Sequence, residues 1–486
     1  MTARRPSVAL IVDHPQRDLA GVVLTAFHLC QQDVDCHLVP HNLEEREIFA
    51  LAPDFVLLNF FRPVNQALAR RLVQAGIRVG VLDTEGGVWP NEAAYAELLW
   101  QDAELRRHLR CVCLWGPRLA NYLVTQGLLS ADQVAVTGCP RFDFYHGDWR
   151  SVLSNAEDHG ASRILINTNF SVSNPRFATV VQNVRQAREE FGLPAERVAA
   201  AIDDEREAIV AMIDLAQQLA RDYPAAEIVF RPHPFEDTDL YRRRLSGAKR
   251  IVVDNGGPVQ PEIGRAAVVI QRSCSTAVEA GLAGVPTLSP QWVPAPTLNP
   301  MAELVSVPCA SYGDLRTRVD AILGGAYDTP EEIRDAIACV TSDWFCRPDG
   351  LAHRRVGAAV LSALASGRTV DGARCERELY GLDRAAKPGP ARLGRSLRYR
   401  LGLPSDWSFR RMRRVPPRNK PGKSFGVVDV RVLADRIQQA PAARGTRRLM
   451  VNVADADSRY RRRLLGQSIT LTCEGVAPPA REDGIT

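Results

Sequence analysis

Short, unbroken apolar runs alternate with stretches of helical spacing along most of this chain, and that alternation limits the available folds more than any other feature. Apolar runs at residues 7–12, 35–39, 55–60, 79–82, 111–115 and 134–136 are separated by helical patterns, the clearest at 19–31, 65–74 and 117–126. A strand buried on both faces is apolar throughout, whereas a half-exposed strand alternates. Fully apolar strands alternating with helices predict an α/β fold, a parallel sheet with helices on both faces. After a polar break at 146–162 the pattern resumes. Apolar runs at 164–166, 227–230, 251–253, 268–271 and 286–288 flank a charged helical region at 177–221, and another helical region follows at 330–365. Two such halves predict two Rossmann-like domains, residues 1–150 and 160–365, facing each other across a cleft. Residues 366–486 are left as an extension, within which 427–435 and 448–453 read as a small appended α/β element.

Composition removes several classes. An apolar content of 45% with 24% charged residues excludes a disordered or collagen-like chain. No run approaches the roughly 18 apolar residues of a membrane span. The basic N-terminal residues lead straight into the first apolar run, with no leader-like core or cleavage site, so a cytoplasmic protein is expected. The eleven cysteines are scattered, and no pair has the C-x2-C spacing of a zinc site. They read as buried thiols in a reducing compartment.

The net charge of +5 conceals an asymmetry. Residues 387–423 carry twelve Lys or Arg and one acid, an excess of +11, which leaves the rest of the chain at −6. A protein built around nucleic acid spreads its basic surface over the folded body, so nucleic acid is not the expected partner. Leu393, Leu397 and Leu401 are spaced four apart among Arg392, Arg395, Arg398 and Arg400, with Trp407 and Phe409 after them. A basic amphipathic segment with aromatics suits an anionic membrane surface, giving a peripheral location at the inner face of the membrane. A solvated linker is the competing reading.

Open α/β sheets bind ligands beyond the carboxyl ends of their strands. Three loops at such ends carry chemistry. Asp83-Thr84-Glu85-Gly86-Gly87 follows the run 79–82 and places two carboxylates two residues apart, fit to take a proton from a hydroxyl or to attack an anomeric carbon. Its glycines are expected to let the backbone turn tightly. Arg231-Pro232-His233-Pro234 follows 227–230. Its prolines restrict how His233 is presented, and Arg231 offers a planar fork for a phosphate. Gln271-Arg272-Ser273-Cys274-Ser275-Thr276 follows the apolar residues 268–270 and opens a helix, where hydroxyls and backbone N–H groups are expected to form an anion pocket. Glu279, one turn further on, is placed to reach a ribose. Asp13 and His14 after the first strand, Arg141 after the last strand of the first half, and Asn167 after the first strand of the second half are expected to line the cleft with Gly86. No Walker loop, G-x-G-x-x-G, H-E-x-x-H or G-x-S-x-G motif is present, which argues against ATPases, NAD enzymes, zinc proteases and α/β hydrolases.

Taken together, these loops resemble those of glycosyltransferases of GT-B architecture that use CMP-activated acidic sugars, the bacterial sialyltransferases and Kdo transferases. Asp83-Thr84-Glu85-Gly86 resembles their D/E-D/E-G motif, with Thr84 inserted between the acids. His233-Pro234 resembles their HP motif, and Ser275-Thr276 their paired hydroxyl motif. Residues 12–15, 83–90, 137–145 and 272–286 are also similar to a bacterial family called surface carbohydrate biosynthesis proteins, over about residues 7–360. The resemblance implies that Asp83 or Glu85 is the catalytic carboxylate. As general base it would give inversion, and as covalent nucleophile retention. His233, Ser275 and Thr276 would then neutralise the leaving CMP phosphate. The donor would be a nucleotide sugar, CMP-linked and with Kdo among the sugars, and the acceptor a glycan or lipid-linked glycan. No cofactor is implied, and no metal. Three alternatives stay open: a CDP-glycerol or CDP-ribitol phosphotransferase, a UDP-sugar enzyme of the same fold, and a non-catalytic scaffold of a polysaccharide assembly complex.

Overall fold

The computed structural model describes residues 5–41, 44–87, 89–100, 102–153, 162–191, 194–295, 299–365, 370–385, 423–456, 459–462 and 465–474. The basic stretch at 387–422, with its leucine pattern and aromatics, lies outside them.

Six parallel strands build the body of the first sheet: β1 (Ser7–Val12), β2 (Asp35–Pro40), β3 (Phe55–Leu58), β4 (Arg78–Leu82), β5 (Leu109–Leu114) and β6 (Val134–Val136). Six more form the second: β7 (Arg163–Asn167), β8 (Glu227–Arg231), β9 (Ile251–Val253), β10 (Val268–Gln271), β11 (Thr287–Pro290) and β12 (Val307–Cys309). That sheet is parallel, in the order β12-β11-β10-β7-β8-β9. Strands β1, β3 and β10 are buried at every position, which is why their sequences do not alternate. Here are the two Rossmann-like sheets expected of a GT-B-like chain. In each, the opening strand is flanked by two others, β1 by β2 and β3, and β7 by β10 and β8. Both are switch points, where the loops beyond the strands part and leave a crevice.

The chain returns to the first sheet twice. The helical region 330–365 breaks into Glu331–Val340, a π-helical turn at Thr341–Phe345, and the helix Ala352–Leu364. Val356, Val360 and Ala363 of that last helix share a core cluster with Val8, Leu10 and Phe27. Asp143 caps its start, accepting from the backbone N–H groups of Ala352 at 3.0 Å and His353 at 2.9 Å and from His353 Nδ1 at 2.8 Å. The expected division at 365 therefore differs from the packing. An apolar helix face is buried where an uncovered sheet face is available, and the first sheet supplies one.

The second return adds β13 (Leu449–Val453) and β14 (Ile469–Cys473) as an antiparallel border, giving the order β13-β14-β2-β1-β3-β4-β5-β6. What the sequence presents as a separate appendage is an integral edge of the first sheet. Without it β2 would offer a row of unpaired backbone groups. The helix Val427–Gln439 covers the added strands, with Val430, Ala434 and Ile437 in the same cluster as Val8. Arg447 seals the end of the helix Ala20–Gln31, donating to the carbonyls of Cys30 at 3.0 Å and Gln31 at 2.6 Å and pairing with Asp33 at 2.6 Å. A cation suits the negative end of a helix.

Glu47, 1% exposed, fixes the approach to β14. Its carboxylate accepts from the backbone N–H groups of Gly466 (3.1 Å), Gln467 (2.9 Å) and Ser468 (2.6 Å), and from the Ser468 hydroxyl. Removing it strands those donors in a buried site. Glu47→Ala is expected to cost on the order of 3 kcal/mol in urea unfolding and to speed amide exchange in β14. Unchanged stability would mean that water takes over the carboxylate's bonds.

Candidate active site

Loops from both sheets meet at the carboxyl ends of their strands. Asp13, His14, Arg17 and Asp18 follow β1, Arg62 follows β3, the 83–87 loop follows β4, and the 232–235 loop follows β8. Arg17 organises the side of the first sheet. It contacts Asp13 at 2.6 Å, Asp18 at 3.0 Å and Glu85 at 3.4 Å, so one guanidinium ties the β1 and β4 loops together. Burial alone would weaken its charge, but the three carboxylates raise its pKa well above the ordinary value. Arg62 makes a second, close ion pair with Glu85. Across the crevice, the Phe235 ring takes the rings of His14 and His233 edge-on, at centroid separations of 5.4 Å and 5.3 Å. Asp13, His14, Glu85 and His233 are thereby gathered into one site from sequence positions up to 220 residues apart.

The two carboxylates of the β4 loop differ in environment. Asp83 is 1% exposed, and burial pushes its pKa up to about 6 against the pull of Arg62. Its Oδ1 accepts from the Glu85 N–H at 2.8 Å, and Trp115 Nε1 donates to its carbonyl at 2.6 Å, so it acts as the latch of the loop. The Glu85 side chain keeps 31% of its surface open. Burial would raise its pKa, but Arg62 and Arg17 together outweigh that and hold it below the usual carboxylate range. Paired groups whose environments separate their pKa values are a recurrent arrangement for acid–base work. The chain turns at 84–87 as expected, but neither Gly86 nor Gly87 has a positive φ, so the turn does not draw on glycine's left-handed freedom. A Cβ on Gly86 would lie 2.9 Å from Trp115 Cγ, and one on Gly87 would run into the Phe345 ring. Glycine is required there for close packing.

His233 is held by its backbone and one ring nitrogen. Its N–H donates to Glu236 Oε1 at 2.8 Å, and its Nδ1 accepts from the Phe235 N–H at 3.2 Å. With Nδ1 an acceptor, the neutral ring carries its proton on Nε2. Burial, helped by the Arg17 charge, pushes its pKa down to about 4, so near neutral pH it is an uncharged donor. Glu236 is the hidden brace. Fully buried, it also accepts from Thr168 Oγ1 at 2.8 Å and from the Tyr241 hydroxyl, and burial lifts its pKa to about 7.

The other expected residues divide. Arg231 does not offer its fork to a ligand; its terminal nitrogens donate to the carbonyls of Gly256 (3.1 Å) and Gly257 (2.6 Å). Arg272 likewise pairs with Glu303 at 2.5 Å and donates to the Val293 carbonyl at 2.9 Å. Ser273, in a left-handed conformation (φ 55°), donates its N–H to Glu303 at 2.9 Å and accepts from the Asn299 N–H at 3.2 Å. These three shape the loop rather than face the crevice. Ser275 is the N-cap residue of the helix Thr276–Ala283 and makes no side-chain capping bond. Thr276 accepts from Asn167 Nδ2 at 2.9 Å, which joins the ends of β7 and β10, and the Asn167 Oδ1 is buried with no protein partner among the described residues. Glu279 accepts the Tyr145 hydroxyl at 2.7 Å, a bond between the two units in place of a ribose contact. Arg141 stacks on Trp115 and Phe142, 4.8 Å and 4.7 Å from their ring centroids, and its Nη1 donates to the Thr84 carbonyl at 3.4 Å. Pro234 follows His233 in the turn that Glu236 closes. Arg62 and Glu236 were missed in the sequence. The first follows a strand end in Phe60-Phe61-Arg62-Pro63, and the second lies three residues after His233, so position alone could have raised both.

No family model matches this chain, and no curated protein does. Among solved structures, a protein from Listeria monocytogenes provisionally assigned as a UDP-N-acetylglucosamine 2-epimerase is 14% identical, with a TM-score of 0.48 over 75% of this chain and 98% of the other. A UDP-GlcNAc 2-epimerase from Neisseria meningitidis bound to UDP-GlcNAc is 13% identical, with a TM-score of 0.42 over 73% and 99%. A glycosyltransferase from Rickettsia africae is 11% identical, with a TM-score of 0.39 over 75% and 100%. Likeness at these levels carries no conclusion about the reaction.

The environment of Asp83 has a measurable consequence. Its folded pKa of about 6 lies above the ordinary 3.8. The proton it keeps on folding stabilises the protein fully below pH 3.8, and that stabilisation is lost as pH rises through 6. Asp83→Asn cannot ionise and retains the Oδ1 acceptor. Its stability relative to the parent is expected to grow between about pH 4 and pH 7, by up to about 3 kcal/mol, in urea unfolding at both pH values. A constant difference would show that Asp83 ionises normally.

Proposed function

We propose that this protein is a glycosyltransferase of cell-surface carbohydrate biosynthesis that transfers a sugar from a nucleotide-activated donor to a glycan acceptor. The observation that carries the reading is the opposition of Glu85 on the first unit to His233 on the second, both at strand carboxyl ends and both held in definite protonation states. In this mechanism Glu85 takes the proton of an acceptor hydroxyl as the hydroxyl oxygen bonds to the anomeric carbon. The bond from that carbon to the phosphate oxygen breaks, and the nucleotide leaves with the electron pair. Arg62 and Arg17 keep Glu85 ionised, at some cost in basicity. The neutral His233 donates its Nε2 proton in a hydrogen bond to the leaving phosphate, and the N-terminal N–H groups and hydroxyls around Ser275 and Thr276 add to that stabilisation. Asp83 holds the loop and is not the base. This assigns an inverting transfer without a metal.

A CMP-linked donor, with Kdo as one candidate sugar, follows from the motif resemblance. A UDP-sugar is the competing donor. Among the described residues no helix is long and apolar enough to cross a membrane. A lipid-linked acceptor would be met at the membrane surface, with residues 387–423 as the proposed contact.

Two measurements test the reading. Saturating CMP should raise the melting temperature by an amount equivalent to about 2.7 kcal/mol at 100 times its dissociation constant, and His233→Ala should abolish the shift. A response to UDP alone would replace the donor, and none to CMP, CDP, UDP or GDP would remove the enzyme reading in favour of a scaffold. With a donor in hand, Glu85→Gln should lower turnover by about 10²- to 10⁴-fold and leave nucleotide binding intact. Retained turnover would exclude Glu85 as the base.

A further inference from the structure

The crevice contains a residue that no strand-end loop supplies. Lys423 lies 410 positions from Asp13 in sequence, yet its Nζ is 2.6 Å from Asp13 Oδ1. The side chain is 13% exposed, and the ammonium lies 5.9 Å from the centroid of the Phe235 ring. That ring also contacts His14 and His233. Lys423 therefore occupies the junction of the two units, above the loop that presents His233. Its position is fixed from behind. Phe425 is buried, and the helix Val427–Gln439 packs into the core of the first sheet.

Lys423 is one of several cations around Asp13. Asp13 already has Arg17 at 2.6 Å, and His41 Nε2 lies 3.9 Å away. Arg17 is shared with Asp18 and Glu85, so Lys423 completes the compensation of Asp13, although burying such a pair returns little net stability. A lysine is, however, a compact point charge well suited to phosphate. Its neighbours are two imidazoles that remain neutral near pH 7, so it adds the positive charge that they lack.

We propose that Lys423 is an anion-binding residue of the active site: its ammonium holds a phosphate oxygen of the nucleotide, and Asp13 is its counter-ion in the ligand-free molecule. The proposal rests on the nucleotide-sugar reading above and extends the donor site to a segment near the end of the described chain. When nucleotide binds, the ammonium turns from Asp13 to the phosphate, and Arg17 continues to neutralise Asp13.

The test uses the full chain as parent, Lys423→Met and Lys423→Arg, titrated calorimetrically with CMP, CDP and UDP, with the ligand-free melting temperature of each recorded. The expected result is a loss of about 10-fold or more in nucleotide affinity for Lys423→Met and an affinity close to the parent's for Lys423→Arg, with both variants folded at the titration temperature. Parental affinity in Lys423→Met would overturn the proposal and leave the functional reading standing. Equal loss in both variants with lowered melting temperatures would also overturn it, by showing that Lys423 only anchors its segment. A parent that binds none of the three nucleotides would remove the functional reading and this proposal with it.

Discussion

Arg17 is the contact on which the site depends. A carboxylate taken out of water must be compensated, and here three of them, Asp13, Asp18 and Glu85, converge on one guanidinium from two different loops. Its charge sets much of the surrounding chemistry. It helps keep Glu85 ionised, and it discourages protonation of His14 and His233. The planar fork of arginine supplies several donors in fixed directions, which a lysine in its place would not. The loop after β4 is thus positioned by electrostatics on one side and by aromatic packing, Trp115 and Phe345 against Gly86 and Gly87, on the other.

The two units are joined by specific polar contacts as well as by chain connections. Tyr145 reaches from the first unit to Glu279 in the second, and Gln260 donates back to the Arg141 carbonyl at 3.4 Å. Both bonds involve residues adjoining the loops of the crevice, so the geometry of the crevice and that of the interface are coupled. Residues that the sequence presents as nucleotide contacts, Arg231, Arg272 and Glu279, instead hold the second unit's loops and its connection to the first. Their partners in the ligand-free molecule are protein groups.

Local pattern made the two parallel sheets legible because burial on both faces removes alternation from a strand, and β1, β3 and β10 are buried throughout. The strand-end rule reached Asp13, His14, Glu85 and His233, since each directly follows an apolar run. Three things were out of reach. The tertiary use of a side chain, as with Arg231, depends on carbonyls 25 residues away. Whether Asp83 or Glu85 faces the crevice depends on backbone direction, which residue type does not encode. The placement of β14 beside β2 depends on pairing between Ile469 and Leu38, a separation for which one sequence carries no local signal.

That distant pairing also bears on synthesis. Chains emerge from the ribosome from the N-terminus, and domains generally fold as they appear. The first sheet can assemble its six parallel strands early, but it then presents β2 as an open edge until residues 449–473 have been made. For most of translation this protein is therefore a nearly finished sheet open at β2 as well as at β6, and a copy cut short before β14 would keep β2 open permanently. Once β14 and β13 are in place that edge is carried outward to the short strand β13, so residues from the two ends of the described chain finish one sheet together.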